Sequence, residues 1–282
     1  MKKLLHFVCV LLVAVTSLGL SLGFAACGES ADENVLTVGM ECGYAPFNYT
    51  QLDDSNGAVK IDNAQGYANG YDVMIAKKIA ESLGKKLVIK KYEFKGLIPA
   101  VQAGTLDLII AGMSPTAERK ESIAFSDAYY QSQLVIVVKK DGKYKDAQNL
   151  DDFSGAKIAA QIGTFHDDAL QAQAAAHGII AQKPMATFPA LIAALKIGTI
   201  DGYVAEYPGA KADCAMNDGF SFINLVNNDT GFTATDEDVQ IAIGLKKGSA
   251  YLSGVNEALA SISQTERDSL MQTATENAPV EN

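Results

Sequence analysis

The chain has 282 residues, of which 48% are hydrophobic, and 23 Lys and Arg against 33 Asp and Glu give a net charge of −10. This composition excludes an intrinsically disordered chain, because disorder requires low hydrophobicity. The acidic balance, with no cluster of Lys and Arg, excludes nucleic acid as a partner, because phosphate backbones are bound by basic patches. The length predicts two globular units of about 100–150 residues each.

The N-terminus has the layout of a secretory signal peptide. Lys2 and Lys3 precede an apolar run from Leu4 to Leu22, and small residues then lead to Cys27. A cysteine directly after small residues resembles the bacterial lipobox, and this resemblance implies that Cys27 is acylated and becomes the mature N-terminus. The alternatives are a plain signal peptide and a single membrane-spanning helix, because the run is just long enough to span a bilayer.

We therefore predict a signal peptide over residues 1–26 and a polar tether over residues 27–34. No later stretch reaches about 18 consecutive apolar residues, so the body is expected to be exported and held at the outer face of the membrane by its lipid. Cys42 and Cys214 are expected to be free thiols, since two distant cysteines do not make a disulfide framework. No cluster of Cys, His or Asp has metal-ligand spacing, so neither a metal nor a cofactor is expected.

Predicted strands and helices alternate along the body of the chain. Ser114 is predicted to cap a helix that begins at Pro115, and Thr164 to cap a later one. Short apolar runs predict strands over 35–40, 87–92, 106–111, 133–138, 157–161, 178–182, 200–205 and 239–245. Apolar spacing of 3.6 residues predicts helices over 71–83, 96–103, 115–122, 165–178, 188–196 and 252–275.

The order of these elements predicts two α/β lobes joined by a hinge. The strands 133–138 and 239–245 are expected to cross between the lobes, because the alternation restarts after the first of them. The segment 50–69 is rich in Asp, Asn, Gln and Gly and is predicted to be a surface loop. The predicted boundaries are 35–132 for lobe 1, 133–237 for lobe 2 and 238–282 for a C-terminal return to lobe 1.

Short motifs follow one another through nearly the whole body of the chain. They are Tyr44-Ala45-Pro46-Phe47, Gly70-Tyr71-Asp72-Val73, Leu97-Ile98-Pro99-Ala100 with Gly104 and Asp107, Gly112-Met113-Ser114 with Thr116 and Arg119, Phe125-Ser126 with Tyr129-Tyr130, Gly163-Thr164, Gly198 with Asp201, and Glu206-Tyr207-Pro208. One motif alone is a weak signal, but the ordered set resembles the solute-binding proteins of polar amino-acid ABC importers (bacterial extracellular solute-binding protein family 3). The resemblance implies the type II periplasmic-binding-protein fold, with two α/β lobes, two hinge strands and a ligand cleft between the lobes.

A free amino acid is a zwitterion, so its burial requires an anion site, a cation site and a side-chain pocket. Arg119 is predicted to hold the carboxylate, because its planar guanidinium matches two carboxylate oxygens, and the resemblance implies the same role. Ser114 and the helix start at Thr164 and Phe165 are predicted to add donors. Taken alone, an arginine on a helix is more often a solvated surface charge.

The other predicted ligand contacts follow from the resemblance. Glu206 occupies the position of the family's ammonium-binding Asp, and the carbonyl of Gly112 is expected to be a second acceptor. Tyr44 and Phe94 match an aromatic pair that sandwiches the ligand side chain, although single aromatic residues are usually core. Glu41 lies where several relatives place an acid at the side-chain end, which favours a cationic ligand. The alternative for Glu41 is a solvated acid at a strand end.

Gln161 and Met113 are predicted to line the same pocket. The ligand is expected to be polar or cationic, and an aromatic amino acid is the other option because Phe165 and Phe94 suit one. The resemblance implies a monomeric binding protein, not an enzyme, that delivers a free amino acid to the permease of an ABC transporter. The chain lacks the Gly-x-x-x-x-Gly-Lys-Ser/Thr phosphate loop, so it is not the ATPase of that transporter.

Two other functions are compatible with parts of this pattern. An exported arogenate or prephenate dehydratase on the same fold would use Glu206 or Glu41 as a general acid. No Ser/His/Asp, Cys/His or metal pattern supports nucleophilic chemistry. A receptor sensor domain would need a second spanning segment or an attached signalling domain.

Overall fold

A computed structural model describes residues 34–279 of the chain. The predicted signal peptide, the lipidation candidate Cys27 and nearly all of the predicted tether lie outside this range. The described residues belong to one compact unit. Within them, no helix is both long enough and apolar enough to cross a bilayer.

The strands and helices are named here in chain order. The strands are β1 (Val35–Met40), β2 (Gly43–Tyr44), β3 (Asn48–Gln51), β4 (Val59–Lys60), β5 (Tyr67–Asn69), β6 (Lys86–Lys91), β7 (Leu108–Ile109), β8 (Ala124–Gln131), β9 (Leu134–Lys139), β10 (Lys157–Ala159), β11 (Ile180–Ala181), β12 (Gly202–Glu206), β13 (Phe220–Ile223) and β14 (Gln240–Leu245). The α-helices are α1 (Tyr71–Ser82), α2 (Leu97–Gln102), α3 (Ala117–Ser122), α4 (Phe165–Gln173), α5 (Phe188–Ile197), α6 (Tyr207–Met216), α7 (Asp236–Val239), α8 (Tyr251–Ser261) and α9 (Gln264–Glu276).

Two five-stranded sheets of the described chain have the same plan, and each is the centre of one α/β lobe. The first has the order β6-β1-β7-β14-β8, and the second has the order β11-β10-β12-β9-β13. In each sheet the first three strands are parallel, and the fourth is antiparallel to both of its neighbours. The elements around the first sheet are called the first lobe, and those around the second sheet the second lobe.

The chain passes from the first lobe to the second at Ser132 and Gln133, between β8 and β9. The predicted strand 133–138 therefore does not itself cross, because β9 pairs along its length within the second sheet. The strand predicted over 239–245 corresponds to β14, which does not itself cross either, because it pairs with β8 of the first sheet along its length. The chain therefore changes lobes just before each of these two strands.

Apolar periodicity explains why the predicted helices form where they do. Helix α1 buries Ile75, Ala76 and Ile79 completely on one face. Gly84, in the left-handed region with φ of +63°, follows its end, where glycine has no steric penalty. Buried positions on both faces of β9 and β12 produce their continuous apolar runs.

Two local predictions are wrong. Thr116, not Ser114, caps α3, and its Oγ1 accepts a hydrogen bond from the backbone N–H of Arg119 at 3.4 Å. The segment 50–69 is not simply a surface loop, because most of a four-stranded sheet, β2-β3-β5-β4, is built from it and the residues just before it. Its acidic residues lie between these short strands, whereas Gln51, Lys60 and Asn69 lie within them. Cys42 and Cys214 are free thiols, as predicted.

Candidate ligand-binding cleft between the lobes

Loops at the carboxyl ends of parallel strands from both sheets face each other across a narrow cleft, whose free volume is only about 10 Å³. Parallel strands end at the same edge of a sheet, so residues that follow them are brought together. In the first lobe Glu41 follows β1 and Gly112 lies shortly after β7. In the second lobe Gln161 lies shortly after β10, and Glu206 is the last residue of β12.

Nine of the eleven predicted ligand-binding residues line this cleft. They are Tyr44, Phe94, Gly112, Ser114, Arg119, Gln161, Thr164, Phe165 and Glu206. Glu41 is connected to the lining through Gln161, whose Nε2 donates a hydrogen bond to Glu41 Oε1 at 2.8 Å. Met113 is buried, and its carbonyl accepts from the backbone N–H of Ala242 in β14. Three further lining residues, Ala111, His166 and Phe188, were not predicted.

Arg119 spans the cleft from the first lobe. Its Nη1 donates to the carbonyl of Ser114 at 2.7 Å, and its Nη2 donates to the carbonyl of Gly163 in the second lobe at 2.9 Å. The guanidinium carbon lies 5.4 Å from the centroid of the Phe94 ring. Burial lowers the pKa of Arg119 to about 10, and the charge of Asp168 opposes this shift, so the guanidinium remains charged at neutral pH.

The N-terminus of α4 opens onto the same cleft. Thr164 caps this helix as predicted, because its Oγ1 accepts from the backbone N–H of Asp167 at 3.4 Å. The same hydroxyl donates to the carbonyl of Gln161 at 2.7 Å. The first-turn N–H groups and the positive end of the helix dipole make this a favourable place for a carboxylate.

Glu206 forms a buried pair with His166 in the second lobe. The distance from His166 Nε2 to Glu206 Oε1 is 2.9 Å, and the residues are 4% and 5% exposed, respectively. Glu206 Oε2 and His166 Nδ1 have no hydrogen-bond partner among residues 34–279. Burial raises the pKa of Glu206 to about 8 and lowers the pKa of His166 to about 3, with the charge of Arg119 adding to the second shift. Both shifts favour the uncharged forms of the two groups.

Glu41 is a second buried acid at the cleft. It is 4% exposed, and its Oε2 has no hydrogen-bond partner in the part of the chain that the structure describes. Burial raises its pKa to about 7, and the hydrogen bond from Gln161 and the charge of Lys91 oppose that shift. Such a group ionises readily when a cation is placed beside it.

The aromatic residues of the cleft are arranged differently from the predicted sandwich of Tyr44 and Phe94. Tyr44 stacks on Phe188 of the second lobe with ring centroids 4.1 Å apart and 13° between planes, and on Phe47 at 5.2 Å. The Phe94 ring faces Arg119 instead. Tyr44 thus connects the two lobes.

The family of this chain follows from comparison with known proteins. The family model described as "Bacterial extracellular solute-binding proteins, family 3" matches residues 36–274. The chain belongs to this family. The membership agrees with the ordered motifs of the sequence.

Relatives of this solute-binding protein include named amino-acid binding proteins. It is 28% identical over 267 residues to the "Arginine-binding extracellular protein ArtP" of Bacillus subtilis, with 92% of each chain covered. It is 31% identical over 252 residues to a "Probable histidine-binding protein" of Campylobacter jejuni, with 85% of this chain and 88% of the relative covered. These names favour a binding protein over the dehydratase alternative.

A solved structure supports the fold class. An amino acid ABC transporter substrate-binding protein from Streptococcus pneumoniae, bound to L-arginine, superposes with a TM-score of 0.74 at 26% identity. The match covers 86% of this chain and 94% of that one. The predicted type II, two-lobed α/β fold is confirmed.

Sequence signals for the unpredicted residues of this solute-binding protein differ in strength. His166 directly follows the Thr164-Phe165 pair, so its place in the first turn of α4 is a signal that identifies it. Phe188 begins α5 after Thr187, which caps that helix. No local pattern distinguishes Phe188 from an ordinary core aromatic, because its contact with Tyr44 depends on the approach of the two lobes.

Proposed function

We propose that this solute-binding protein captures a free cationic L-amino acid, with L-arginine as the preferred example, and delivers it to the permease of an ABC importer. The observation that carries this proposal is the charge inventory of the cleft. Two buried carboxyl groups, Glu41 and Glu206, accompany one guanidinium, Arg119. An amino acid with a cationic side chain brings one carboxylate and two cations, so every buried charge is paired.

The ligand carboxylate is assigned to Arg119, Ser114 and the start of α4. Arg119 donates to two backbone carbonyls, one from each lobe. A carboxylate forms charge-assisted and bidentate bonds with a guanidinium, which are stronger than its bonds to neutral carbonyls. The hydroxyl of Ser114 and the backbone N–H groups at Thr164 and Phe165 complete this anion site.

The two cationic ends of the ligand are assigned to the two acids. The α-ammonium group pairs with Glu206 and donates to the carbonyl of Gly112. The side chain passes Tyr44 and Phe94, and its cationic end pairs with Glu41. A neutral amino acid would leave Glu41 without a cationic partner.

Ligand contacts from both lobes favour the closed arrangement of the cleft. Arg119 and Glu41 belong to the first lobe, whereas Glu206 and the start of α4 belong to the second. A ligand shifts an open–closed equilibrium only by its differential affinity for the two forms, and only the closed form pairs all its charges. The closed protein is then the form that docks on the permease.

We also propose that the protein is exported as a monomer and anchored to the outer face of the membrane through a lipid on Cys27. The signal-peptide layout and the lipobox-like cysteine support this location, as does the description of the family as extracellular. Mass spectrometry of the membrane fraction, compared with a Cys27→Ala variant, tests the anchor. Recovery of unmodified protein from the medium in both cases would contradict it.

A thermal-shift screen of residues 28–282 against the free amino acids tests the proposed ligand class. The protein is first unfolded and refolded to remove any amino acid carried through purification. A ligand at 100 times its dissociation constant stabilises by about 2.7 kcal/mol, roughly 5–10 °C for a chain of this size. L-Arginine or another cationic amino acid is expected to give the largest shift. A shift only with neutral amino acids would contradict the charge argument, and no shift at all would contradict amino-acid binding.

A further inference from the structure

We propose that His166 is a positioning residue for the ammonium site, and that capture of an α-ammonium group by Glu206 releases to solvent the proton that this buried pair holds. This inference rests on the proposed function and adds to it a coupling between ligand binding and a proton. In the coupled step the carboxyl O–H bond of Glu206 breaks and the proton leaves to water. The resulting carboxylate pairs with the ligand ammonium, so charge within the site is conserved.

The geometry of the pair supports a positioning role. His166 lies in the first turn of α4, and Glu206 ends β12, so the pair joins two elements of the second lobe. The 2.9 Å contact with His166 Nε2 fixes only Oε1 of the carboxyl group. Glu206 Oε2 is buried without a partner within residues 34–279, and Glu206 lines the cleft. One oxygen is therefore held and the other is left for a ligand.

The length of Glu206 explains why a positioning residue is needed. A glutamate has one more rotatable bond than the aspartate that the family resemblance implies at this position. Each free rotor adds conformational entropy that binding must overcome. The hydrogen bond to His166 removes this freedom before the ligand arrives, which is how a longer side chain keeps the role of a shorter one.

The surroundings of the pair determine where the proton goes. The charged group that acts on His166 from the first lobe is Arg119, and Asp168 lies on the same helix as His166. Tyr44 from the first lobe lines the same cleft, and its hydroxyl has no hydrogen-bond partner in residues 34–279. An imidazolium at His166 would be repelled by both Arg119 and the arriving ammonium. The proton of Glu206 therefore leaves for solvent and does not move to His166.

Burial gives this coupling its pH range. The pKa of Glu206 is raised to about 8 by burial, so the carboxyl is protonated at neutral pH and must ionise to pair with an ammonium. The ionised fraction grows about tenfold per pH unit below the pKa. Ionisation of Glu206 alone is therefore expected to raise the affinity for an amino acid about tenfold per pH unit from 6 to 7, and this contribution levels off above 8.

Titration calorimetry of residues 28–282 with L-arginine, in pairs of buffers with different ionisation enthalpies, counts the protons released. Glu41 also has a raised pKa, so its proton must be counted separately. The analogue 5-guanidinopentanoate has the carboxylate and the guanidinium of arginine but no α-amino group. The difference between the two ligands is expected to be close to one proton at pH 6.5, where the α-amino group of free arginine is fully protonated and Glu206 holds its proton. An equal count for both ligands at pH 6.5 would overturn the coupling.

Two variants test His166 itself. His166→Leu removes the hydrogen-bonding group and is expected to weaken arginine binding by at least about tenfold. The pH above which the arginine affinity stops rising is also expected to increase. His166→Gln keeps an N–H donor and is expected to restore most of the affinity and the pH at which the curve levels. A purely structural role would weaken binding at every pH by the same factor. That result, or a wild-type curve for His166→Leu, would overturn the positioning role.

The outcomes also separate this inference from the proposed function. Arginine binding with no difference in proton release from the analogue contradicts the coupling and leaves the proposed function standing. Failure of both ligands to bind the wild-type protein at any pH contradicts the proposed function, and the inference falls with it.

Discussion

Gln161 Nε2 donates a hydrogen bond of 2.8 Å to Glu41 Oε1, and this bond joins the second lobe to the first. The amide of Gln161 is itself fixed, because the same nitrogen donates to the carbonyl of Ala186 at 3.1 Å. Glu41 is therefore held by one oxygen, while the other is buried without a partner in the described chain. The arrangement repeats that of Glu206, which is likewise held by one oxygen.

Glu41→Gln is expected to reduce the affinity for L-arginine by at least about thirtyfold, the effect of removing about 2 kcal/mol of a buried charge pair. Glutamine at this position still accepts from Gln161, so the link between the lobes is kept and only the charge is lost. Calorimetry with L-arginine and L-glutamine measures the change in preference. Asp146→Asn, at an exposed acid that does not act on Glu41, is the control and should leave the arginine affinity unchanged. Equal weakening toward both ligands would remove Glu41 as the side-chain partner.

Arg119→Ala is expected to abolish the thermal shift caused by L-arginine. The ligand carboxylate would lose its bidentate partner at a cost of about 2–5 kcal/mol. Arg119→Lys keeps the charge but not the planar fork, so it should recover only part of the shift. The neighbouring Lys120 on α3 pairs with Glu237 at the surface, and Lys120→Ala should behave like the wild type, because exposed ion pairs contribute little. An undiminished shift in Arg119→Ala would disprove the anion site.

Local patterns predicted the regular elements well because side-chain periodicity reports the burial of a face. The strand β1 has its predicted bounds, and α1 ends one residue before its predicted end. The choice of cap for α3 could not be made locally, because both Ser114 and Thr116 are favourable capping residues. The strands within 50–69 are paired by backbone hydrogen bonds. The polarity of their side chains therefore does not indicate that they are strands.

Some features of the cleft can be predicted from local sequence motifs, whereas others depend on contacts between distant segments. Residues within the ordered motifs, such as Arg119 and Glu206, could be proposed as ligand contacts from their positions in the chain. The Glu206–His166 bond and the stacking of Tyr44 on Phe188 depend on how distant segments meet, so the sequence does not contain them as a pattern. The shifted pKa of Glu206 has the same origin, because burial causes it.

Gly209→Ala is expected to impair closure of the cleft without destabilising the second lobe. A Cβ atom at Gly209 on α6 would lie 2.8 Å from Tyr44 Cε2 of the first lobe, closer than real Cβ contacts allow. Alanine favours a helix over glycine by about 1 kcal/mol, so the melting temperature without ligand should not fall. Overpacking costs about 1–3 kcal/mol, which predicts an arginine affinity lower by roughly five- to a hundredfold.

Small-angle scattering with and without L-arginine checks the effect of Gly209→Ala on closure. The wild type should become more compact on binding, and the variant less so at saturating ligand. Gly219→Ala is the matched control, because a Cβ atom there meets nothing within 4 Å. Normal affinity and normal compaction in Gly209→Ala would contradict this prediction, because they would show that the Tyr44 ring moves away from the added methyl group.

The stability of the protein without ligand is expected to fall as the pH rises above 6.5, in part because of Glu206. Its pKa is raised from 4.5 to about 8 by burial, so the folded protein holds a proton that the unfolded chain has released. This contribution is lost as the pH rises through the folded pKa. His166 acts in the opposite sense, because burial lowers its pKa from 6.5 to about 3 and its contribution is lost as the pH falls below 6.5. Above 6.5 the contribution of His166 is present and changes little with pH, so the slope due to Glu206 can be measured.

Glu206→Gln is therefore expected to flatten the dependence of the unfolding free energy on pH between 6.5 and 8.5. One pKa unit corresponds to about 1.4 kcal/mol, so ionisation of Glu206 should lower the wild-type stability by about 2 kcal/mol over this range. Urea denaturation at pH 6.5, 7.5 and 8.5 measures the slope, and Asp146→Asn, at an exposed acid, should keep the wild-type slope. Glu41, with a pKa of about 7, contributes mainly to the first part of the range in all three proteins. Parallel curves for the wild type and Glu206→Gln would mean that Glu206 is already ionised in the folded protein at pH 6.5.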